Sequence, residues 1–86
     1  MDKPNYPLPT VHMNGTSKKD LFEGYYKAYY SLRTFIDDWG AIEFNARDYY
    51  VDGPSAFPDA QDKRRELSAK IKELQDYLHE HIAHLH

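Results

Sequence analysis

The chain has 86 residues, no cysteine and a formal net charge of −3, with 11 Lys and Arg against 14 Asp and Glu. This length allows one small domain, and the absence of thiols excludes disulfide scaffolds, thiolate metal sites and cysteine nucleophiles. The net charge does not show the excess of basic residues that is typical of proteins that bind duplex nucleic acid. No window of the sequence holds the roughly 20 apolar residues of a membrane span. We therefore expect a cytoplasmic protein that binds neither duplex nucleic acid nor a membrane.

Residues 1–16 are predicted to form an extended N-terminal arm, because three prolines within nine residues exclude a helix there and favour a path over another surface. Ser17 followed by Asp20 resembles a capping box, in which the Ser17 side chain accepts a free backbone N–H of the first turn. A first helix is therefore predicted over about 17–41, where Gly40 weakens its last turn.

The first helix has an apolar face that is wider than one partner helix would cover. One stripe recurs at spacings of 4, 3, 4, 3, 4 and 3: Leu21, Tyr25, Ala28, Leu32, Phe35, Trp39 and Ile42. A second row lies beside it: Phe22, Tyr26, Tyr29 and Ile36. This width predicts that the helix has more than one neighbour.

A second helix is predicted over about 58–85, after a turn signal at Asp52-Gly53-Pro54. Its apolar stripe is Leu67, Ile71, Leu74, Leu78, Ile82 and Leu85. The predicted fold is all-α: residues 17–86 form a hairpin of two long antiparallel helices that follows the extended N-terminal arm. Because so short a chain buries little core alone, we expect self-association into a helical bundle.

The first candidate binding segment runs into the start of the first helix. Free N–H groups and the positive end of the dipole suit an anion there, Gly15 permits close backbone approach, and Lys18 and Lys19 add positive charge. The residues selected as candidates are His12, Asn14, Gly15, Thr16, Ser17 and Lys18. The alternative is an ordinary turn followed by a helix cap.

The second candidate segment lies in the connector, and its residues are Asn45, Arg47, Asp48, Tyr49 and Tyr50. Arg47 offers a planar fork for a phosphate, the tyrosines can stack on a base, and Asn45 or Asp48 can read a base edge or ribose hydroxyls. In the alternative interpretation Arg47 pairs with Asp48 or caps the first helix, while the tyrosines close the end of the bundle.

The two candidate segments lie at opposite ends of the first helix, some 30 Å apart. Within one chain they form one site only if the arm folds back along the bundle. An antiparallel pairing of two chains would bring residues 14–17 of one subunit to residues 47–50 of another, so that binding would require assembly.

The remaining chemistry favours a protein that is not an enzyme. The terminal His79-Glu80-His81 and His84 lack zinc-protease spacing, since three residues rather than two separate Glu80 from His84, and the alternative is a histidine-rich helix end. No catalytic nucleophile with a neighbouring base emerges, and neither a metal nor a cofactor is predicted.

The segment His12-Met13-Asn14-Gly15-Thr16-Ser17, followed some thirty residues later by Asn45-Ala46-Arg47-Asp48-Tyr49-Tyr50, resembles a group of small bacteriophage and prophage accessory proteins, mostly of unassigned function. In that pattern an H-x-N-G-T-S stretch precedes a helix and an N-G-R-D-Y-Y stretch follows it. Ala46 stands here where the pattern has Gly.

A phage origin makes a function in countering host defence one of the expectations. Small oligomeric helical phage proteins include sponges that sequester the nucleotide messengers of bacterial immune systems without cleaving them. The resemblance implies such a role in the host cytoplasm, with Arg47, the helix start and Lys18 or Lys19 taking phosphates and Tyr49 or Tyr50 stacking on a base. The alternative is a homo-oligomeric adaptor that binds a host or virion protein through its tyrosine-rich face.

Overall fold

The computed structural model describes residues 6–86, and these form a helical hairpin. Helix α1 spans Lys18–Ala41 and helix α2 spans Ala56–Leu85, with two short 3-10 turns, Ala46–Asp48 and Tyr50–Asp52, between them. No strand occurs in the described chain. The all-α hairpin predicted from the two apolar stripes is therefore confirmed.

The ends of the helices follow from local chemistry. Ser17 is the N-cap of α1, and its Oγ accepts a hydrogen bond from the backbone N–H of Asp20 at 3.1 Å. Helix α2 begins two residues earlier than expected, so that Pro58 lies in its first turn, where a missing N–H costs no helical hydrogen bond. The turn before it uses Gly53 at φ 116°, a conformation that side-chain-bearing residues rarely adopt.

Cross-helix contacts give the antiparallel order of α1 and α2. At one end the rings of Tyr25 and His81 lie 4.5 Å apart. Towards the other end the indole Nε1 of Trp39 donates to Ser68 Oγ at 3.1 Å. As the residue number rises along α1, the contacted residue number therefore falls along α2.

The arm packs along α2 of the same chain in its described part, residues 6–16. The Tyr6 ring meets the Tyr77 ring edge-on at 5.3 Å, and the Tyr6 hydroxyl donates to the Glu73 carbonyl at 3.4 Å. His84 Nε2 lies 2.8 Å from the Pro9 carbonyl oxygen. Residues 1–5 of the predicted arm lie outside the described residues.

The hairpin is long and thin, with extents of 60 × 27 × 19 Å and a radius of gyration of 18.4 Å, against about 12 Å for a compact chain of this length. Its accessible surface is 6989 Å², whereas a compact monomer of this mass exposes about 5,300 Å². Within residues 6–86 only Leu78, His81 and Leu85 are buried. Neither α1 nor α2 has a stretch apolar enough to cross a membrane.

Candidate functional site

The first candidate segment forms a tight turn that leads into α1. The Gly15 N–H donates to the His12 carbonyl at 3.1 Å, and Ser17 then caps the helix. All residues from Val11 to Asp20 are exposed. The cap predicted for Ser17 is therefore present, and Asn14, Thr16 and Lys18 keep their side chains in solvent.

Gly15 has a packing role inside this turn. A Cβ placed on Gly15 would lie 2.7 Å from Nε2 and 2.8 Å from Cε1 of the His12 ring, which is closer than real Cβ atoms approach other atoms. The imidazole therefore covers the face of Gly15 that sequence reasoning left open for a ligand. A ligand could approach this face of Gly15 only if the His12 ring moved away.

The second candidate segment is shaped by backbone hydrogen bonds. The Asp48 N–H donates to the Asn45 carbonyl at 3.1 Å, and the Tyr49 N–H donates to the Ala46 carbonyl at 2.9 Å. No non-glycine residue of the described chain has a positive φ, so Ala46 is unstrained where the pattern has Gly. These bonds fold residues 45–49 into a compact 3-10 turn.

The two tyrosines of this segment have different surroundings. Tyr49 is half-buried and packs against Phe44 at 5.5 Å and Phe57 at 5.9 Å between ring centroids. Tyr50 is 67% exposed. Tyr49 closes the end of the hairpin, as in the alternative interpretation of this segment. The Tyr50 ring, in contrast, is accessible for stacking.

Arg47 forms neither of the two contacts of the alternative interpretation, an ion pair with Asp48 or a hydrogen bond that caps α1. The four ion pairs of residues 6–86 all lie on α2, so Arg47 does not pair with the adjacent Asp48. The C-terminal carbonyl of α1 that receives a cation is that of Trp39, and its donor is Arg64 Nη2 at 2.9 Å. The exposed guanidinium of Arg47 therefore remains available to an anion.

Arg64 is a structural residue that sequence reasoning missed. Its Cζ atom lies 4.8 Å from the Trp39 ring centroid and 5.0 Å from the Phe44 ring centroid, within cation–π range of both. A basic residue near the start of α2 was visible in the sequence. Its partner became identifiable only when the antiparallel register placed it beside the end of α1.

A groove of about 280 Å³ lies at this end of the hairpin and combines apolar walls with two cations. Its volume is at the lower limit for small-molecule sites, which hold roughly 300–1,000 Å³. Trp39, Ile42, Glu43, Phe44, Tyr49, Ala60, Lys63, Arg64 and Leu67 line it. Of the predicted candidates, it includes only Tyr49.

The structure does not bring the two candidate segments together within one chain. They lie beyond opposite ends of α1, whose 24 residues span about 36 Å at 1.5 Å per residue. The arm does fold back along the hairpin, but the part that returns is Tyr6–Pro9, whereas residues 12–17 stay beside the start of α1. A site that uses both segments therefore needs two chains.

The C-terminal histidines stabilise the hairpin and the arm. His81 is 1% exposed, its ring lies 4.2 Å from the Tyr77 ring, and its Nδ1 is 2.8 Å from the Tyr77 carbonyl oxygen. His84 holds the arm at Pro9. Between Tyr6 and His86, no group of three or more His, Asp or Glu side chains is arranged to hold a metal ion.

Four side chains have pKa values displaced by their surroundings. Burial raises the pKa of Tyr25, with a further contribution from the Tyr77 hydroxyl, and burial also raises that of Tyr6 ahead of the nearby carboxylates. The hydrogen bond to Tyr30 raises the pKa of Tyr26, and that to Asp76 raises the pKa of Lys72. None of the four belongs to the two candidate segments.

Comparison of the chain with family models, with curated proteins and with solved structures gives no match.

Proposed function

We propose that the chain is a non-catalytic phage accessory protein that binds and sequesters a nucleotide-type immune signalling molecule within a homo-oligomer. The observation that carries this proposal is the state of Arg47. Its guanidinium is exposed on a turn that also carries Asp48, three residues before the exposed Tyr50, yet it forms no ion pair within residues 6–86. A planar cation and an accessible ring in one short segment suit a phosphate attached to a base.

The start of α1 supplies a second polar surface of matching chemistry. Lys18 is exposed and has no carboxylate partner among the described residues, and it lies at the positive end of the helix dipole. Asn14 and Thr16 add neutral hydrogen-bonding groups in the preceding turn. Two phosphates of one ligand could therefore be shared between this surface and Arg47 if the two belong to different subunits.

Self-association is supported by the surface that the hairpin leaves exposed. The chain exposes 6989 Å², about 1,700 Å² more than a compact monomer of its mass. Obligate homodimers bury roughly 2,000–5,000 Å² over both partners. An elongated chain with this much exposed surface has area available for a homodimeric contact of that size.

The test is native mass spectrometry of the purified protein with a panel of cyclic dinucleotides, cyclic oligonucleotides and ADP-ribose derivatives. We expect a discrete oligomer that gains ligand in a fixed ratio and releases it unchanged in mass. Arg47→Ala should lower ligand occupancy at least tenfold without changing the oligomer, because one charge-assisted phosphate contact contributes about 1.5–3 kcal/mol.

The matched control is Arg65→Ala, which removes an exposed arginine that pairs only with Asp62 on α2. It should leave ligand occupancy unchanged. Equal losses from the two variants would mean that net charge, and not Arg47, determines binding. An oligomer that takes up no member of the panel would contradict the sponge proposal for these ligands.

The alternative function is a homo-oligomeric adaptor that binds a host or virion protein through its tyrosine-rich face. Tyr26 is 43% and Tyr30 is 55% exposed, so α1 does present aromatic rings to solvent. In that case Arg47→Ala should have little effect on partner binding, whereas Tyr26→Ala should weaken it strongly, as truncation of an interface tyrosine commonly does.

A further inference from the structure

The solvent-facing side of α1, opposite the residues that contact α2, carries a further stripe of regularly spaced residues. We call it the outer stripe, and its spacings are 4, 3, 4, 3 and 4. Its six members are Lys19, Glu23, Tyr26, Tyr30, Arg33 and Asp37. All six are exposed. Spacings of this kind place residues on one face of a helix and are those of a helix–helix seam.

The centre of the outer stripe is aromatic and already ordered. The Tyr26 and Tyr30 rings have centroids 4.8 Å apart, and the Tyr26 hydroxyl donates to the Tyr30 hydroxyl at 3.3 Å. Phe22 extends this row with a ring stacked on Tyr26 at 5.6 Å. Rigid, half-exposed tyrosines lose little conformational entropy on binding and are enriched in protein interfaces.

The charges on either side of the tyrosines form no ion pair with any other residue that the structure describes. Throughout residues 6–86 every ion pair joins two residues of α2, so Lys19, Glu23, Arg33 and Asp37 have no ionic partner. Their order along α1 is plus, minus, two tyrosines, plus, minus. If a second copy of the helix runs in the opposite direction, each positive charge of this stripe faces a negative charge and the tyrosines face each other.

Reversal about Ala28 pairs every member of the outer stripe with a suitable partner. Lys19 faces Asp37, Glu23 faces Arg33, and Tyr26 faces Tyr30 of a second, antiparallel α1, and each pair occurs twice by symmetry. A parallel pairing in register would set four like charges against each other, which is unfavourable. We infer that the outer stripe is the face on which two copies of this chain pair, through antiparallel α1 helices centred on Ala28.

This inference gives a face and a register to the self-association assumed in the proposed function, and it rests on that part of the proposal. The antiparallel arrangement sets Ser17 of one chain opposite Trp39 of the other, next to the connector that carries Arg47. The two segments that one hairpin holds about 36 Å apart would then meet at both ends of the paired helices. A contact of this kind is isologous, as expected of a twofold dimer.

The test uses the absence of cysteine from the chain, because any introduced cysteine is the only thiol present. Lys19→Cys and Asp37→Cys are prepared separately, mixed and treated with a short bis-maleimide. The antiparallel register predicts a covalent dimer in the mixture and little in either variant alone, because like positions lie about 27 Å apart along the paired helices. Ser31→Cys, exposed on α1 but outside the outer stripe, should give no dimer with either variant.

Each other outcome contradicts the inference in a distinguishable way. Dimers from each single variant, with none across the mixture, would indicate a parallel pairing. A non-covalent oligomer in native mass spectra that gives no crosslink would place the interface on another face and leave self-association intact. A monomer at all concentrations would overturn both the pairing and the assembly on which the proposed function depends.

Charge reversal provides a second measurement that does not depend on crosslinking. Glu23→Lys or Arg33→Glu alone should weaken the dimer about tenfold, because each replaces two attractive pairs by two repulsive ones. The double variant Glu23→Lys/Arg33→Glu should restore the original affinity. Failure of the double variant to recover, with helical content unchanged by circular dichroism, would contradict the Glu23–Arg33 pairing.

Discussion

The two ends of the hairpin are stabilised by different kinds of contact. At the end where α1 begins, Leu78, His81 and Leu85 are buried. At the connector end no residue is buried, and Arg64 instead joins the Trp39 carbonyl to the Trp39 and Phe44 rings. Apolar burial therefore stabilises one end of the hairpin, and a cation with aromatic neighbours stabilises the other.

This difference explains how the chain can be ordered while the charged candidates Arg47 and Lys18 take no part in stabilising it. At the connector end the structural cation is Arg64, so Arg47 has no role in closing the hairpin. At the other end the helix is capped by Ser17 and the arm is held by His84, so Lys18 is not needed for either. Among the candidate residues, Ser17 and Tyr49 therefore have structural contacts, whereas Arg47 and Lys18 remain exposed.

The largest loss of stability should follow from a substitution at the end of the hairpin where α1 begins, because the buried residues lie there. Leu78→Ala should lower the free energy of unfolding by about 2–4 kcal/mol, since Leu78 is 7% exposed and its loss leaves a cavity. Leu74→Ala, one turn away and 48% exposed, is the matched control and should cost less than about 1 kcal/mol. Urea unfolding at one fixed protein concentration measures both, and equal costs would contradict a core confined to this end.

A smaller loss should follow when the cation of the connector end is removed. Arg64→Met keeps the length of the side chain but removes its hydrogen bond to Trp39 and both cation–π contacts, at a cost of about 2 kcal/mol. Trp39 is the chain's one tryptophan, so its fluorescence reports the local change directly. Arg65→Met, whose partner Asp62 is exposed, should stay within about 0.5 kcal/mol of the parent. A tryptophan spectrum unchanged in Arg64→Met would contradict the contact.

The sequence was sufficient for the helices but not for the contacts between them. Apolar periodicity predicted both helices, and Ser17 with Asp20 predicted the start of α1 to within one residue, because these signals are local. The partners of Arg64 and the burial of His81 depend on how far α2 is shifted along α1. That shift is determined by the turns between residues 42 and 55, whose geometry no periodicity encodes.

The smallest loss of stability is expected for a substitution in the turn before α1. Measuring both stability and nucleotide occupancy there distinguishes a packing role of the turn from a role in ligand binding. Gly15→Ala should cost only about 0.5 kcal/mol, because the atom its Cβ meets, Nε2 of His12, is at the far end of a side chain that can rotate away. In a His12→Ala background the same substitution should cost nothing, and urea unfolding of the four proteins measures this coupling. If the cost persists without the ring, contact with His12 is not the reason for glycine at this position. If stability follows the cycle while nucleotide occupancy falls in both Gly15→Ala and His12→Ala, the correct placement of the His12 ring is itself required for binding.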